Sequence, residues 1–463
     1  MNVMDSSPRA KIPSSEEAVA APAPQGVRRR STAGGRLGAS DARAGREGRA
    51  QEGDDKQRLT PYAALAILAI LLVCAAQAAE FGAGAVRTLD DQQVFEFADS
   101  PLGRYLRLAG TLCFAGAAAA RAVMSRRGNP PGAVLFWLAV LGGTSGLWLL
   151  AVTGQGYSWL VTDSLSPVVF GMCLGVLLGS DDSLWPRLRR LAPIIAYGFG
   201  LLGLYEIWKE PWAGAVTGVE LPPTVFLQTT FWFGAFSLFQ LPADRIRAQL
   251  ISCLPIALVA FEAVYVQNRS WICQCILAIG ARFLLLNRAG GINRMWKYAV
   301  AAMAALMLSA VVLFLAAAVF PEELSGLRQR LMEDTRTAQY MDFFQQVPLS
   351  SFILGAGPLA TYATGDSFNF LYIDNQLLLI LWKFGVLAMM GYFILVLWPG
   401  LKLMASGEAE EDQASATVTS LWLLASLGLS IYHGIVQNPQ NFLMILIAGR
   451  CYAILEDRRT RSA

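Results

Sequence analysis

Two arginines in this sequence stand beside long apolar runs and could bind a phosphate group. Arg269 lies in the short polar segment Gln267–Ser270 between two apolar runs, and Arg336 lies farther along in a polar, aromatic segment. The planar guanidinium group suits bidentate contact with phosphate oxygens. A charge in such a setting is costly unless it faces water, a partner or a ligand. We therefore expect an anion-binding site, with a snorkelling interfacial arginine as the alternative for Arg269.

The segment that contains Arg336 carries further groups that could contact a ligand. Over residues 322–347 the apolar positions recur at three- and four-residue steps, which predicts an amphipathic helix lying on a membrane surface. Arg328 and Arg330 fall on the polar side of this helix, and Tyr340 near its end offers a ring on which a sugar could stack. None of these signals is specific by itself.

The next stretch combines a glycine turn with polar groups at the head of an apolar run. Gly355-Ala356-Gly357 permits a tight turn and a close approach of the backbone to a ligand. Asp374-Asn375 opens the run, where a plain helix N-cap is the alternative to a functional pair. Lys383 follows nine residues after Asp374, about 13 Å along a helix. The spacing therefore predicts an ionisable group inside a membrane, which is a candidate for function.

The composition explains why polar residues are so few. The chain has 463 residues, of which 55% are hydrophobic and 15% are charged, and its mean hydropathy is +0.44. Soluble domains average about 25% charged residues. Runs of about 20 apolar residues, the length that crosses a bilayer core, recur along the chain. Because backbone groups in lipid must be satisfied internally, these runs predict helices, and the fold class is an all-α polytopic membrane protein.

Twelve candidate spans divide the chain into five regions. Lys and Arg concentrate in linkers 125–132, 180–191, 242–247 and 287–297, which predicts that these linkers and both termini are cytoplasmic. The regions are a disordered basic cytoplasmic tail (1–58), the first nine transmembrane helices (59–319), a large periplasmic loop with amphipathic helices (320–373), the last three transmembrane helices (374–455) and a cytoplasmic tail (456–463). A loop as long as 320–373 inside a compact bundle is usually functional.

Cysteine and histidine provide no evidence for metal or redox chemistry. The seven cysteines lie in or beside apolar runs, which is typical of small core residues and not of a disulfide framework. The lone histidine, His433, is expected to be a polar packing residue and not a catalyst. No cluster of His, Cys and carboxylate residues suggests a metal, and no phosphate-binding P-loop is present.

The order of these features resembles the O-antigen polymerase/O-antigen ligase superfamily. The residues that carry the resemblance are the Asn268-Arg269-Ser270 turn, Arg336 ahead of Pro348-Leu349, the Gly355-Ala356-Gly357 turn, Asp374-Asn375, and Lys383-Phe384-Gly385 followed by Gly391. The resemblance covers about residues 250–455, and the earlier spans agree in number and topology only.

The resemblance implies an inverting, metal-independent glycosyltransferase of the bacterial inner membrane, with a GT-C-like bundle and no cofactor. Its donor would be an oligosaccharide on undecaprenyl diphosphate, and its acceptor a hydroxyl of a second glycan at the periplasmic face. Arg269 and Arg336 would hold the diphosphate, because positioned cations neutralise the leaving group. The implied partners are the lipid bilayer, a chain-length regulator and a flippase, with no nucleic acid. The other expected substrate-binding residues are Asn268, Arg328, Arg330, Tyr340, Gly355, Gly357, Asn375 and Lys383.

One departure from the family pattern favours the polysaccharide polymerase branch. The ligase branch has His-Asn where this chain has Asp374-Asn375, and His433 lies elsewhere. Asp374 is then the candidate base toward the acceptor hydroxyl, although it could instead orient a sugar hydroxyl or pair with an arginine.

A ligase that moves glycan to another acceptor is the alternative within this class. A transporter or flippase for lipid-linked oligosaccharide is the alternative of another class, because Lys383 could line a transport path. A structural membrane subunit is the last alternative, and it would not need Arg269, Arg336 and Asp374 to converge.

Overall fold

A computed structural model describes most of the helical part of the chain. The described residues are 59–79, 100–124, 136–137, 140, 172–209, 224–240, 246–265, 268–286, 335–357, 360–364, 368–370, 373, 375–406, 410–427 and 438–462. All of them belong to one compact unit, Gln57–Ala463. The predicted tail 1–58 lies outside the described residues, as do nearly all of the predicted spans at 133–153 and 298–319 and the part of the predicted loop before Thr335.

The described residues form helices almost throughout, with one small hairpin. The helices are α1 (Pro61–Ala79), α2 (Pro101–Met124), α3 (Met172–Gly179), α4 (Trp185–Lys209), α5 (Thr224–Gln240), α6 (Ile246–Tyr265), α7 (Arg269–Leu286), α8 (Thr335–Gln346), α9 (Ser350–Leu354), α10 (Gln376–Tyr392), a π-helical turn (Phe393–Leu397), α11 (Trp398–Ser406), α12 (Glu410–Ser426) and α13 (Pro439–Ser462). Strands β1 (Tyr362–Thr364) and β2 (Phe368–Phe370) are antiparallel, with Ala363 opposite Asn369.

Three of these helical stretches are long and apolar enough to cross a membrane. They are Pro61–Ala79, Pro101–Met124 and the stretch Gln376–Ser406. Shorter apolar helices cover Ile251–Tyr265 and Ala414–Ser426. These are the features of an all-α membrane protein, as the composition predicts. The number of twelve spans and the cytoplasmic placement of the termini stay predictions.

Large aromatic residues hold the helix bundle together. Trp232 of α5 packs on Trp422 of α12, with ring centroids 4.7 Å apart. Phe231, also on α5, meets Trp271 at the start of α7 at 5.4 Å. All four rings are at most 1% exposed, so α5 lies at the centre of the described bundle.

Polar contacts join the helix ends at one end of the bundle, which we call the basic end. They are Thr60 Oγ1 to Asp181 Oδ2 (3.0 Å), Arg121 Nη2 to Ser180 Oγ (2.8 Å), Arg458 Nη1 to Ser406 Oγ (2.8 Å) and an ion pair of Arg450 with Asp182. These contacts bring together the start of α1, the end of α2, the start of α4, and the ends of α11 and α13. The sequence predicts that the same helix ends are cytoplasmic.

The opposite end of the bundle, which we call the amide end, is joined by side-chain amides. The Thr229 hydroxyl of α5 lies 2.8 Å from Oε1 of both Gln77 at the end of α1 and Gln440 at the start of α13. Gln440 Nε2 also donates to Gln228 Oε1 at 2.9 Å. Gln77, Thr229 and Gln440 are at most 1% exposed. A network of buried amides therefore fixes the register of α1, α5 and α13 at this end.

A small second core stands apart from the bundle core, and we call it the aromatic lobe. Its buried residues are Phe343, Val347, Tyr362, Ile373, Leu379 and Trp382. The rings of Phe343 and Trp382 meet edge to face at 5.1 Å, and Tyr362 lies 5.1 Å from Phe343 and 5.6 Å from Trp382. Helices α8 and α9, the β-hairpin and the first half of α10 thus form one packed unit.

Candidate functional site

Arg269 is placed by a tight turn between α6 and α7. The Asn268 N–H donates to Ala263 O at 2.8 Å, which closes the end of α6. The Asn268 side-chain oxygen accepts from the N–H groups of Ser270 (3.2 Å) and Trp271 (3.4 Å). This is an N-cap, because those N–H groups have no partner inside the helix. Asn268 is thus the cap that puts Arg269 at the first position of α7.

The turn that carries Arg269 lies at the amide end of the bundle. Trp271, two residues after Arg269, packs on Phe231 of α5, and Phe231 follows the network residue Thr229 by two positions. The Arg269 side chain is partly buried. Burial in part and the positive end of the α7 dipole both suit this arginine to an anion at the surface of the bundle.

The Gly355-Ala356-Gly357 turn lies directly against α10. The Ala356 N–H donates to Trp382 O at 2.7 Å, and the Gly357 N–H donates to Lys383 O at 3.0 Å. The Gly355 N–H is used within its own turn, donating to Ser351 O at 2.8 Å. All three N–H groups are therefore bonded to the protein. The turn closely approaches a helix, and the predicted contact of Gly355 and Gly357 with a ligand stays a prediction.

Helix α10 is broken where the glycine turn meets it. Gly385 has φ 83° and ψ 177°, a conformation outside the helix that favours glycine. Without this break, the carbonyls of Trp382 and Lys383 would accept from residues 386 and 387. The turn supplies substitute donors, so the break leaves these carbonyls bonded. The sequence predicts one continuous span from Asp374, and the structure instead has a half-helix, 376–384, that packs Leu379 and Trp382 into the aromatic lobe and Ile380 into the bundle core.

Lys383 joins the turn to the aromatic lobe. Its Nζ donates to Ala360 O at 2.5 Å and lies 4.5 Å from the centre of the Trp382 ring. The residue is 4% exposed. A buried ammonium group needs such partners, because an unpaired one is costly. We call the contact of residues 355–357 with residues 382–385 the junction. Lys383 therefore has a structural role at the junction, which the sequence analysis did not predict.

Helix α8 carries the second predicted arginine and an open apolar face. Arg336 is the second residue of α8, and its side chain lies outside the described part of the structure. Tyr340 is partly buried against the aromatic lobe. It also lines a shallow surface pocket of about 370 Å³ with Thr337, Met341, Phe344 and Gln345. The face of α8 thus offers the aromatic surface that the sequence analysis expects for a sugar.

The predicted pair at the head of α10 is described only in its second residue. The Asn375 side chain accepts from the Leu378 N–H at 3.0 Å, so Asn375 is the N-cap of α10. Its amide also donates to Leu427 O at the end of α12, at 3.4 Å, which places this cap at the amide end. The candidate base Asp374, the predicted ligands Arg328 and Arg330, and the lone His433 lie outside the described residues.

Among the buried charged residues that the sequence analysis missed, two lie on the neighbouring helices α6 and α7. Glu262 of α6 is 2% exposed and Arg282 of α7 is 7% exposed. A Cβ added at Gly203 of α4 would lie 2.6 Å from Glu262 Oε1 and 2.8 Å from Oε2, so the carboxylate packs against this glycine. Glu262 lies within one turn of the end of α6 that leads to Arg269. The available signal was a charge inside an apolar run of membrane length.

The seven cysteines all lie on described helices. All seven cysteines are free thiols. Within the described residues, no group of three or more His, Cys, Asp or Glu side chains could hold a metal ion.

Among known proteins, no family model matches this sequence and no curated protein matches it either.

Proposed function

We propose that this protein is a polysaccharide polymerase of the bacterial inner membrane. It would transfer an oligosaccharide from undecaprenyl diphosphate to a hydroxyl of a second lipid-linked repeat unit at the periplasmic face. The observation that carries the proposal is the placement of Arg269 at the amide end, at the tip of a capped hairpin. An anchored arginine at the edge of a membrane bundle suits the diphosphate of a lipid-linked donor.

The aromatic lobe supports the proposal with a surface for the glycan. The lobe also lies at the amide end, because α10, which begins within it, is capped next to the end of α12. Helix α8 of this lobe carries Arg336 and, one helical turn later, Tyr340 beside the shallow pocket. Aromatic rings stack on the apolar faces of sugars, while a second arginine shares the charge of the diphosphate.

The reaction that we propose needs cations and positioning more than a cofactor. The acceptor hydroxyl attacks the anomeric carbon of the donor sugar, and the bond from that carbon to the diphosphate oxygen breaks. The lipid diphosphate leaves with the bonding electron pair, and the hydroxyl proton passes to a base, for which Asp374 is the candidate. Arg269 and Arg336 stabilise the charge that develops on the leaving diphosphate.

A transporter is less well supported, because the break in α10 is not open. In transporters, interrupted helices direct free backbone groups at the substrate. Here the carbonyls of Trp382 and Lys383 at the break accept from the backbone of the glycine turn, and Lys383 Nζ donates to Ala360 O. The polar groups at the junction are thus bonded within the protein.

Deletion of the gene followed by analysis of lipid-linked glycans tests the polymerase proposal. We expect single repeat units to accumulate on the lipid carrier and long chains to disappear. If long polymer still forms on the carrier but does not reach its final acceptor, the protein is a ligase. If repeat units accumulate on the cytoplasmic face only, it is a flippase.

Substitution of the two arginines tests the diphosphate site. Arg269→Ala and Arg336→Ala should each lower polymer synthesis by about 10²–10³-fold, the usual effect of removing one charge-stabilising group from an active site. Protein in the membrane should stay at the wild-type level. Arg459→Ala at the basic end is the matched control and should leave polymer synthesis unchanged. Normal chain length in both arginine variants would refute the site.

A further inference from the structure

Helix α9 exposes an unusual amount of apolar surface for its size. Leu349 just before it and Ile353 and Leu354 within it are 79%, 61% and 76% exposed. The segment Val347–Gly357 contains no ionisable residue. In water, such a compact group of exposed aliphatic side chains is costly, at about 25 cal/mol for each Å². Something apolar therefore covers this surface when the protein is in its natural setting.

The position of α9 shows that its apolar surface continues onto a membrane-length helix. A Cβ added at Gly385 would lie 2.6 Å from Ile353 O and 2.8 Å from the Leu354 carbonyl carbon, so α9 lies on the break in α10. Directly after the break, Val386, Leu387 and Met390 are also exposed large hydrophobic residues. They belong to the stretch Gln376–Ser406, which is long and apolar enough to cross a membrane.

The part of that stretch after the break is itself long enough to span. Val386–Ser406 runs from the junction to the basic end, where Ser406 accepts a hydrogen bond from Arg458. Its 21 residues fall within the range of roughly 17–25 residues that a helix needs to cross the hydrocarbon core. Residues 386 and 387 then lie near the edge of the hydrocarbon layer, and α9 lies at the same level.

We propose that α9 is a membrane-interface anchor: Leu349, Ile353 and Leu354 insert into the lipid leaflet beside the start of the Val386–Ser406 span. The occupant of this surface is the acyl region of the bilayer. Helix α9 has five residues and cannot cross a membrane, so it lies along the interface, about 5–10 Å into the boundary between headgroups and chains.

The aromatic lobe gives this anchor a mechanical consequence. Lys383 and the glycine turn attach the lobe to α10 at the junction. The lobe is thereby held against the leaflet at two places, the junction and α9, and this holds whether or not the protein is a polymerase.

Fluorescence quenching in liposomes tests the anchor. The background is Cys273→Ser, because Cys273 is the exposed thiol while the other six are buried or partly buried. Ile353→Cys is labelled with an environment-sensitive dye, and the full-length protein is reconstituted into phosphatidylcholine vesicles containing doxyl-labelled lipid. We expect strong quenching, greater for a doxyl group close to the headgroup than for one near the chain end. Thr361→Cys, at an exposed position of the same lobe, is the control and should show little quenching.

Two results would overturn the proposal. Equal, weak quenching at positions 353 and 361 would mean that lipid does not cover α9. Efficient disulfide cross-linking between two copies through Ile353→Cys, with no quenching, would mean that a second copy covers it. Leu349→Cys gives an independent measurement if the first variant is poorly produced, and it should be quenched to a similar degree.

Discussion

The junction and the α6–α7 hairpin both place a cation at the amide end, yet they use it differently. At the junction, Lys383 is 4% exposed and donates to Ala360 O, and its carbonyl accepts from Gly357. At the hairpin, the polar side chain that builds the turn is Asn268, and Arg269 beside it is only partly buried. One cation holds two segments together, while the other stands on a scaffold that a separate residue maintains.

This difference distinguishes a structural charge from a candidate functional charge, whereas the position of each residue beside an apolar run does not. Both residues are equally unusual in the sequence, because each is an ionisable group beside an apolar run. Their burial distinguishes them, since Lys383 is 4% exposed and Arg269 is only partly buried. We therefore expect changes at the junction to lower stability first, and changes at Arg269 to lower polymer synthesis first.

The largest effect on stability should come from Gly385→Ala. A Cβ there would lie 2.6–2.9 Å from backbone atoms of Ile353, Leu354 and Gly355. The left-handed backbone adds about 1–3 kcal/mol of strain for any other residue. We expect little folded protein in membranes, measured by fluorescence-detected size-exclusion chromatography of a fusion. Gly280→Ala on α7 is the control, because nothing lies within 4 Å of its added Cβ. Equal yields of the two variants would show that the junction tolerates a continuous helix.

Lys383→Met should destabilise the protein by about 2 kcal/mol, since a hydrogen bond to a charged group is lost. Lys383→Arg should recover part of this loss, because its guanidinium can still donate and stack on Trp382. The measurement is the thermal unfolding midpoint in detergent. Polymer formed per folded molecule should stay near normal in both variants. If Lys383→Met unfolds like the wild type but makes no polymer, Lys383 belongs to the site and the contrast with Arg269 fails.

Gly203→Ala should cost about 1 kcal/mol, the low end of the cost of overpacking, because its methyl group would displace the end of a flexible side chain, the Glu262 carboxylate. The shorter side chain of Glu262→Asp should relieve that collision. The double variant is therefore expected to be more stable than the sum of the single changes predicts, as a double-mutant cycle of unfolding free energies would reveal. Strict additivity would mean that the two residues are not coupled, and that the packing of Glu262 on Gly203 does not support the end of α6.

The smallest effect should come from Asn268→Ala, which removes the cap of α7 and costs about 1 kcal/mol. Asn268→Asp keeps the acceptor and should stay close to the wild type in thermal unfolding. A loss of several kcal/mol in Asn268→Ala would show that the turn depends on more than the cap hydrogen bonds.

Sequence reasoning predicted the helical class, and it offered an N-cap as the alternative role for Asp374-Asn375, because both follow from local rules. Apolar runs of membrane length demand helices, and Asn before a helix is a common N-cap, as Asn375 is. The glycine turn was also recognised, although its contact was not. Whether a turn approaches a ligand or a helix depends on residues far along the chain, and here Ala356 meets Trp382.

The break in α10 could not be predicted from hydropathy, because both halves are apolar. Residues 376–384 supply Leu379 and Trp382 to the lobe core and Ile380 to the bundle core, and the residues after Gly385 continue a helix that is long and apolar enough to cross a membrane. Glu262 was overlooked for a similar reason, since a window average hides one charge. The roles of Arg336 and Asp374 stay predictions.

Helix α13 has a consequence for the order of assembly during synthesis. It leaves the ribosome after every other described helix, yet it supplies Gln440 to the amide network and Arg450 and Arg458 to the contacts at the basic end. Until it packs, Thr229 at one end and Asp182 at the other lack these partners. The nascent bundle is thus closed at both ends when this one late helix packs, so slowing the translation of 439–462 should prolong an open intermediate that membrane quality control can recognise.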